Sequence, residues 1–274
     1  MQLTAESAAE AAEVLGRVAR ALDDLPAQRP VAARVVSAAD DDRSSAKSLG
    51  QVVSYDPALT AKLMRLANSA YFGLRGRVSS TSFAVTVVGF STVRSLAVTA
   101  MAGLDGDVQL PELFWERSLL SAVAAGELAP RLGVQVPDAF GLGLLARLGQ
   151  ALLHRCDPRY AELAATAADR TELVAAELAA YGVTHVRLSA EALAAWGFPD
   201  EMPDALLQVA RGSASVPLAA SVTAGLEIAE RLVNPGHRRT PVERLTAGRW
   251  REAEVEHLGA LVQAQAEDLM RALS

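Results

Sequence analysis

Between its prolines and glycines this chain repeats apolar residues every three or four positions, and nowhere does it alternate apolar with polar residues over the length of a strand. A helix that buries one stripe needs a period near 3.6, whereas a half-buried strand needs a period of two. Leu59, Leu63, Leu66 and Ala70 form such a stripe. Asp56-Pro57 supplies its start: a carboxylate able to accept the first free N–H groups, then a proline whose missing N–H costs nothing at the first helical position. Alanine and leucine dominate and aromatics are 5% of residues, a mixture that favours helix. The chain is therefore expected to be all-α. The expected helices begin with 3–24, stopped by Leu25-Pro26, then 30–39, a short helix capped by Ser45 and running through Val53, and the helix opened by Asp56. Gly73 and Gly76 bracket a loop, Ser79 and Ser80 offer caps for a helix through Val88, and Gly89 separates it from 91–103. Pro111 opens the next, through about Leu132. Further helices are expected at 138–155, 158–168, 171–181, 184–196, 203–211 and 216–233, then a short one after Pro241 and a longer one over 251–273. No fixed-period repeat is present.

The formal charge of −6 argues against a general nucleic-acid binder, which is usually basic. The charge is uneven. From Asp56 to Met101 one acid stands against Lys62, Arg65, Arg75, Arg77 and Arg94. Arg75 and Arg77 sit on the glycine-flanked loop, with Lys62 and Arg65 on the helix before it. Guanidinium forks suit phosphate or carboxylate, so these four residues are the candidate contacts for a nucleotide phosphate or an acidic partner; ordinary solvated charge with intramolecular pairing is the plainer explanation. Cys156 is the single cysteine, which fits a reducing, cytoplasmic setting. The opening MQLTAESAAE is acidic and does not read as a signal peptide, and no uncharged stretch reaches the roughly 18–20 residues of a membrane span.

The run Asp56-Pro57-Ala58-Leu59-Thr60 through Leu66-Ala67-Asn68-Ser69-Ala70-Tyr71-Phe72-Gly73 resembles the bacterial HDOD family, the HD-related output domains. Its flanks agree: Leu25-Pro26 and Pro30, Val78-Ser79-Ser80 with Val88-Gly89 and Val93-Arg94, Phe114-Trp115-Glu116-Arg117-Ser118, and Trp196-Gly197-Phe198-Pro199. The resemblance covers residues 20–215. It implies an all-helical fold related to HD-domain phosphohydrolases, which bind metal through scattered His and Asp residues. On this reading residues 1–24 are an N-terminal helix and 25–235 the HDOD domain, with an N-terminal part (25–105), a seam at Asp105-Gly106-Asp107 and a degenerate HD-like part (110–235). Residues 236–274 are a C-terminal helical extension.

The same resemblance predicts that the metal site is degenerate. Arg117 stands where an HD enzyme has a metal-ligating His, and Ala146-Arg147 where it has His-Asp; His185 is a possible remnant. A guanidinium repels a cation, and one imidazole cannot hold a catalytic metal. Other candidates read as structural. His154, three residues from Asp157, suits a helix end facing the last carbonyls, His237 a solvated basic turn, and His257 the surface. Arg155 is placed to lower the Cys156 thiol pKa, although an inert thiol is expected. Gly141-Leu142-Gly143 matches a loose dinucleotide fingerprint but lacks its strand, so it reads as close helix packing. Asp40-Asp41-Asp42 reads as an acidic turn, Asn68 and Ser69 as helix-end caps, and Trp115, Trp196 and Trp250 as packing anchors.

The expected function is a non-catalytic signalling or scaffold module that binds signalling proteins, with cyclic di-GMP or another nucleotide as candidate ligand and no cofactor. Two alternatives stay open: a residual HD-type metal-dependent phosphohydrolase, and a nucleic-acid-binding regulator built on a helix-turn-helix around Gly89.

Overall fold

Where a polar side chain precedes an apolar run, it starts a helix. Ser45, Asp56, Ser80, Asp169 and Thr184 each accept a backbone N–H from the first turn that follows, and Ser45 and Ser48 form a reciprocal capping box. In this computed structural model, residues 5–41, 43–74, 76–104, 109–213 and 215–273 are described. Arg75, Asp42 and the expected seam at 105–107 lie outside them. Regular structure among the described residues is entirely helical. The helices are α1 (Ala5–Gln28), α2 (Pro30–Asp40), α3 (Ala46–Val53), α4 (Pro57–Ala67), α5 (Thr81–Val88), α6 (Phe90–Met101), α7 (Phe114–Leu132), α8 (Val136–Leu145), α9 (Leu148–Cys156), α10 (Tyr160–Thr166), α11 (Arg170–Tyr181), α12 (His185–Ala195), α13 (Glu201–Ala210), α14 (Pro217–Val233), α15 (Val242–Leu245) and α16 (Glu252–Leu273).

Three expected boundaries are corrected. Helix α1 runs through Leu25-Pro26 instead of stopping there. A proline inside a helix frees the carbonyl four residues back. Here that is Leu22 O, which accepts the indole N–H of Trp196 at 3.1 Å. Helix α7 begins at Phe114, not Pro111, because Leu113 takes a left-handed conformation (φ 58°) that redirects the chain. The expected single helix over 138–155 is two helices, broken at Ala146-Arg147. The cause of that break is tertiary and is described with the site.

Helices α7 and α14 lie along each other, with α8 against both; α2, α3, α4, α5 and α6 form the N-terminal side, and α9, α12 and α13 the other. The central helices meet at backbone distance. A Cβ on Gly143 would lie 2.8 Å from Ser121 O, and one on Gly225 would lie 2.7 Å from the same oxygen and 2.9 Å from Ala125 N. The glycine pair read as helix packing is therefore that, since Gly141 likewise abuts Ser91 and Ser95 of α6. Gly225→Ala is expected to cost about 1–3 kcal/mol by overpacking, read as a lower midpoint in thermal or urea denaturation; an unchanged midpoint would show that α7 and α14 can separate freely.

Residues 92–101 of α6 are all buried. A recognition helix must expose one face to a groove, so the helix-turn-helix reading of α5 and α6 does not hold. No single described helix is long and apolar enough to cross a membrane; α5 and α6 pass that test only as a pair bent by 108°. Helix α16 packs on α7 and α4. Its Asp268 carboxylate accepts the Ala70 N–H at 2.6 Å, and Trp250 just before it donates to Leu128 O at 3.1 Å beneath the Arg131 guanidinium.

Candidate functional site

The break between α8 and α9 is made by Ser189 of α12. Its hydroxyl accepts the Gly149 N–H at 2.8 Å and lies 3.0 Å from both Ala146 O and His185 O, which share its one proton, so it meets free groups on both sides of the break. Only glycine permits the approach, since a Cβ on Gly149 would fall 2.0 Å from His185 O. The break leaves Arg147 with non-helical backbone (φ −97°, ψ 4°) and sends its side chain, 1% exposed, into the interior.

There Arg147 Nη2 donates to Glu230 Oε1 of α14 at 2.5 Å. Burial by itself would raise the Glu230 carboxyl, but the charge of Arg147, with that of Arg117, outweighs it and holds the group below the ordinary carboxylate range. The Arg147 charge also acts on Tyr160, whose hydroxyl donates to Glu177 Oε1 at 2.6 Å; burial and the Glu177 charge outweigh it and push that phenol well above its usual value. Glu177 also accepts the His185 backbone N–H at 2.9 Å and stands 2.8 Å from His185 Nδ1. Burial opposes ionisation of Glu177, yet the His185 charge and these hydrogen bonds keep its carboxyl below the usual value. Glu230 with Arg147, and Tyr160 with Glu177 and His185, thus form two buried polar groups that interact through charge.

Beside them, Arg117 from the first turn of α7 and Arg170 from the start of α11 line a small recess with Glu230, Asp169 and Asn234. The Nε atoms of Arg117, Arg147 and Arg170 are all shielded from solvent and have no hydrogen-bond partner, as is His185 Nε2. Burial and the neighbouring Arg147 charge lower the Arg170 pKa.

A divalent metal of the kind HD enzymes use does not fit here. Its ligands must be anionic or neutral donors. The chain offers guanidiniums at Arg117 and Arg147, a methyl group at Ala146, and a Glu230 carboxylate already committed to Arg147. His185 keeps its Nε2 without a partner while Glu177 holds its Nδ1, an arrangement a metal-binding histidine can have, but one imidazole cannot hold a catalytic metal. Among the described residues no three His, Cys, Asp or Glu side chains converge as a metal site.

The sequence therefore points to Arg117, Ala146, Arg147 and His185, and the structure gathers them around one centre. It also adds Glu177, Glu230, Tyr160 and Arg170, which periodicity and motif reading pass over. Their one signal is a carboxylate inside an apolar helix: Glu177 in Leu-Val-Ala-Ala-Glu-Leu-Ala-Ala-Tyr, and Glu230 three residues after Glu227 in α14.

The basic loop lies elsewhere. Arg65 is exposed and its Nε donates to Ala272 O of α16 at 2.5 Å; Lys62 is half-buried, and Arg77 is exposed on its loop. Asn68 fixes that loop, its amide donating to Met64 O and Val78 O and accepting the Val78 N–H. Two histidines differ from expectation. The His237 side chain is 4% exposed, with Nε2 3.1 Å from Glu227, because residues after Asn234 fold back onto α14. His154 is half-buried, and its Nδ1 reaches no carbonyl. His257 is exposed, as expected. At Cys156, burial outweighs Arg17, Arg155 and Arg20 and pushes the thiol up, so Arg155 does not activate it.

This fold, helices packed around a polar centre at the α8–α9 break, is HD-like. The chain belongs to the HDOD domain family, matching it over residues 25–211. A crystal structure from Shewanella amazonensis, provisionally assigned as a phosphohydrolase, has a TM-score of 0.72 at 23% identity, covering 94% of this chain and 98% of that one. A protein from Marinobacter aquaeolei, provisionally named for signal transduction, has a TM-score of 0.64 at 22% identity, covering 96% of this chain and 64% of that one. At these identities the likeness is one of fold. An uncharacterised protein of Treponema pallidum is 27% identical over 145 residues, 52% of this chain and 28% of that protein. The match thus extends over little more than a quarter of that relative's length.

Proposed function

We propose that this HDOD protein is a non-catalytic, cytoplasmic signal-transduction module that works by binding other proteins, with a cyclic dinucleotide such as cyclic di-GMP as the small-molecule ligand the reading allows. The observation that carries it is the buried Arg147–Glu230 pair, 2.5 Å apart, with Arg117 beside it. Two guanidiniums occupy the positions at which the family resemblance expects metal ligands, and the carboxylate that could have joined a metal is spent neutralising one of them. Metal-assisted hydrolysis needs an open cation to polarise the phosphoryl oxygen or generate hydroxide, and this donor set does not attract one. Lys62, Arg77 and Arg75 are the proposed contacts for an acidic partner surface or a nucleotide; Arg65 is already held in part by α16.

The test is turnover. Protein stripped of metal and then supplied with manganese, magnesium or zinc is expected to hydrolyse neither a chromogenic phosphodiester, nor a phosphomonoester, nor cyclic di-GMP above the rate of metal alone. Metal-dependent turnover that is lost in His185→Ala would overturn the proposal.

A further inference from the structure

The C-terminal helix α16 reaches the basic face that carries Lys62 and Arg65. It packs on α7 and α4, and Val255, Val262, Ala266 and Leu269, at i, i+7, i+11 and i+14, form its buried stripe. Its two ends are held differently. At the start, Trp250 is buried and donates to Leu128 O, and Glu252 pairs with Arg231. At the far end the ties are to α4 and the turn after it. Arg65 Nε donates to Ala272 O at 2.5 Å, and the Asp268 carboxylate accepts the Ala70 N–H at 2.6 Å. The helix is also acidic: Glu252, Glu254, Glu256, Glu267 and Asp268 stand against Arg271. An acidic amphipathic helix thus already sits at the basic face, and it belongs to the chain itself.

The seat is shallow. Four of the 22 residues of α16 are buried, against 13 of 19 in α7 and 12 of 17 in α14, so α16 gains far less from burial than the helices it covers. The Arg131–Glu254 pair is exposed on both sides, a kind that contributes little. Docking also leaves Gln265 Oε1 shielded from water with no donor, a cost that lifting the helix removes. A segment with few buried apolar contacts opens ahead of the whole fold. With its start tethered, α16 opens from its C-terminal turns. Opening there releases Arg65 and the Ala70 N–H and uncovers the places of Val262, Ala266 and Leu269.

We propose that α16 is a self-inhibitory strap: its C-terminal turns occupy the seat of an acidic amphipathic helix presented by a partner protein, which binds by displacing them. That partner helix carries apolar residues at the spacing of Val262, Ala266 and Leu269, and a carboxylate beside the last of them to accept the Ala70 N–H. Arg65, now spent on Ala272 O, becomes a contact for it. The inference rests on the protein-binding reading of the basic face, but its test reads exchange of helices and not turnover, so it can fail while the non-catalytic reading stands.

The experiment titrates the full chain with a labelled synthetic peptide of residues 252–273, and with a scrambled peptide of the same composition. In the wild-type chain the resident helix competes, and the apparent affinity rises with the fraction of chains whose seat is open. The double variant Asp268→Ala/Leu269→Ala is therefore expected to bind the peptide about tenfold or more tighter than the wild type. Adding Arg65→Glu to it is expected to abolish that gain. Circular dichroism checks that the variants fold. A second measurement needs no variant: an isotopically distinct peptide is expected to speed hydrogen exchange of the resident helix over residues 262–272 and to leave α7 unchanged. The proposal is overturned if the folded double variant binds no tighter than the wild type, if the scrambled peptide binds equally well, or if the peptide leaves exchange of the resident helix unchanged. A double variant that dimerises and then ignores the peptide also overturns it, and identifies a second copy as the occupant.

Discussion

Glu230→Gln is expected to destabilise the fold by about 3–5 kcal/mol, the range for breaking a buried ion pair on one side. The change is nearly isosteric, so packing is preserved and the loss is electrostatic. Glu230 is the carboxylate nearest to Arg147, Arg117 and Arg170 together. Without it, a guanidinium that is 1% exposed has no counter-ion and faces two others. Removing the opposite partner should cost less. In Arg147→Met, Glu230 keeps the attraction of Arg117 and Arg170, and the methionine fills much of the space. The double variant Arg147→Met/Glu230→Leu should recover much of the loss, because replacing a whole buried pair with apolar residues is often neutral. Urea denaturation of the three variants decides it. Equal losses in Glu230→Gln and Arg147→Met would mean that Arg117 and Arg170 do not sense Glu230. For a chain of this size the Glu230→Gln loss corresponds to a fall in Tm on the order of 10 °C.

Glu177→Ala is expected to be comparably damaging, by about 3–5 kcal/mol at neutral pH. One carboxylate serves the Tyr160 hydroxyl, the His185 backbone N–H and the His185 ring, all fully buried. Its loss strands all three and leaves a cavity between α11 and α12. The pH dependence has a definite sign. The folded Glu177 carboxyl lies below its ordinary value of 4.5. Its stabilising contribution is therefore complete above that value and is lost as pH falls through the lower, folded value. Stability of the wild-type chain and of Glu177→Gln, measured by denaturant titration from pH 7 downward, should accordingly differ most near neutrality and converge in acid below about pH 4.5. A gap that stays constant with pH would mean that the carboxylate acts by shape and not by charge.

The centre was only half legible in the chain. Arg117 and Arg147 announce themselves because they stand in motif positions, and Asp56 and Ser45 because a cap is a local event completed within three residues. Nothing local marks Glu177 or Glu230, since the groups that hold their charge come from other helices: His185 eight residues away on α12, and Arg147 eighty-three residues away at the α8–α9 break. The same distance in sequence hid the fate of His237, read as solvated and found against Glu227.

By itself, then, the sequence determined that the chain is helical, where most helices start, and which family it belongs to, because period, caps and short motifs act over a few residues. Tertiary structure alone decided that α1 continues past Pro26, since the carbonyl freed there is taken by Trp196, 174 residues away. It alone decided that the helix expected over 138–155 breaks at Ala146-Arg147, since the hydroxyl that caps both sides of the break belongs to Ser189. That break turns Arg147 inward, and so the polar centre of this domain is a product of packing between helices that no window along the chain contains.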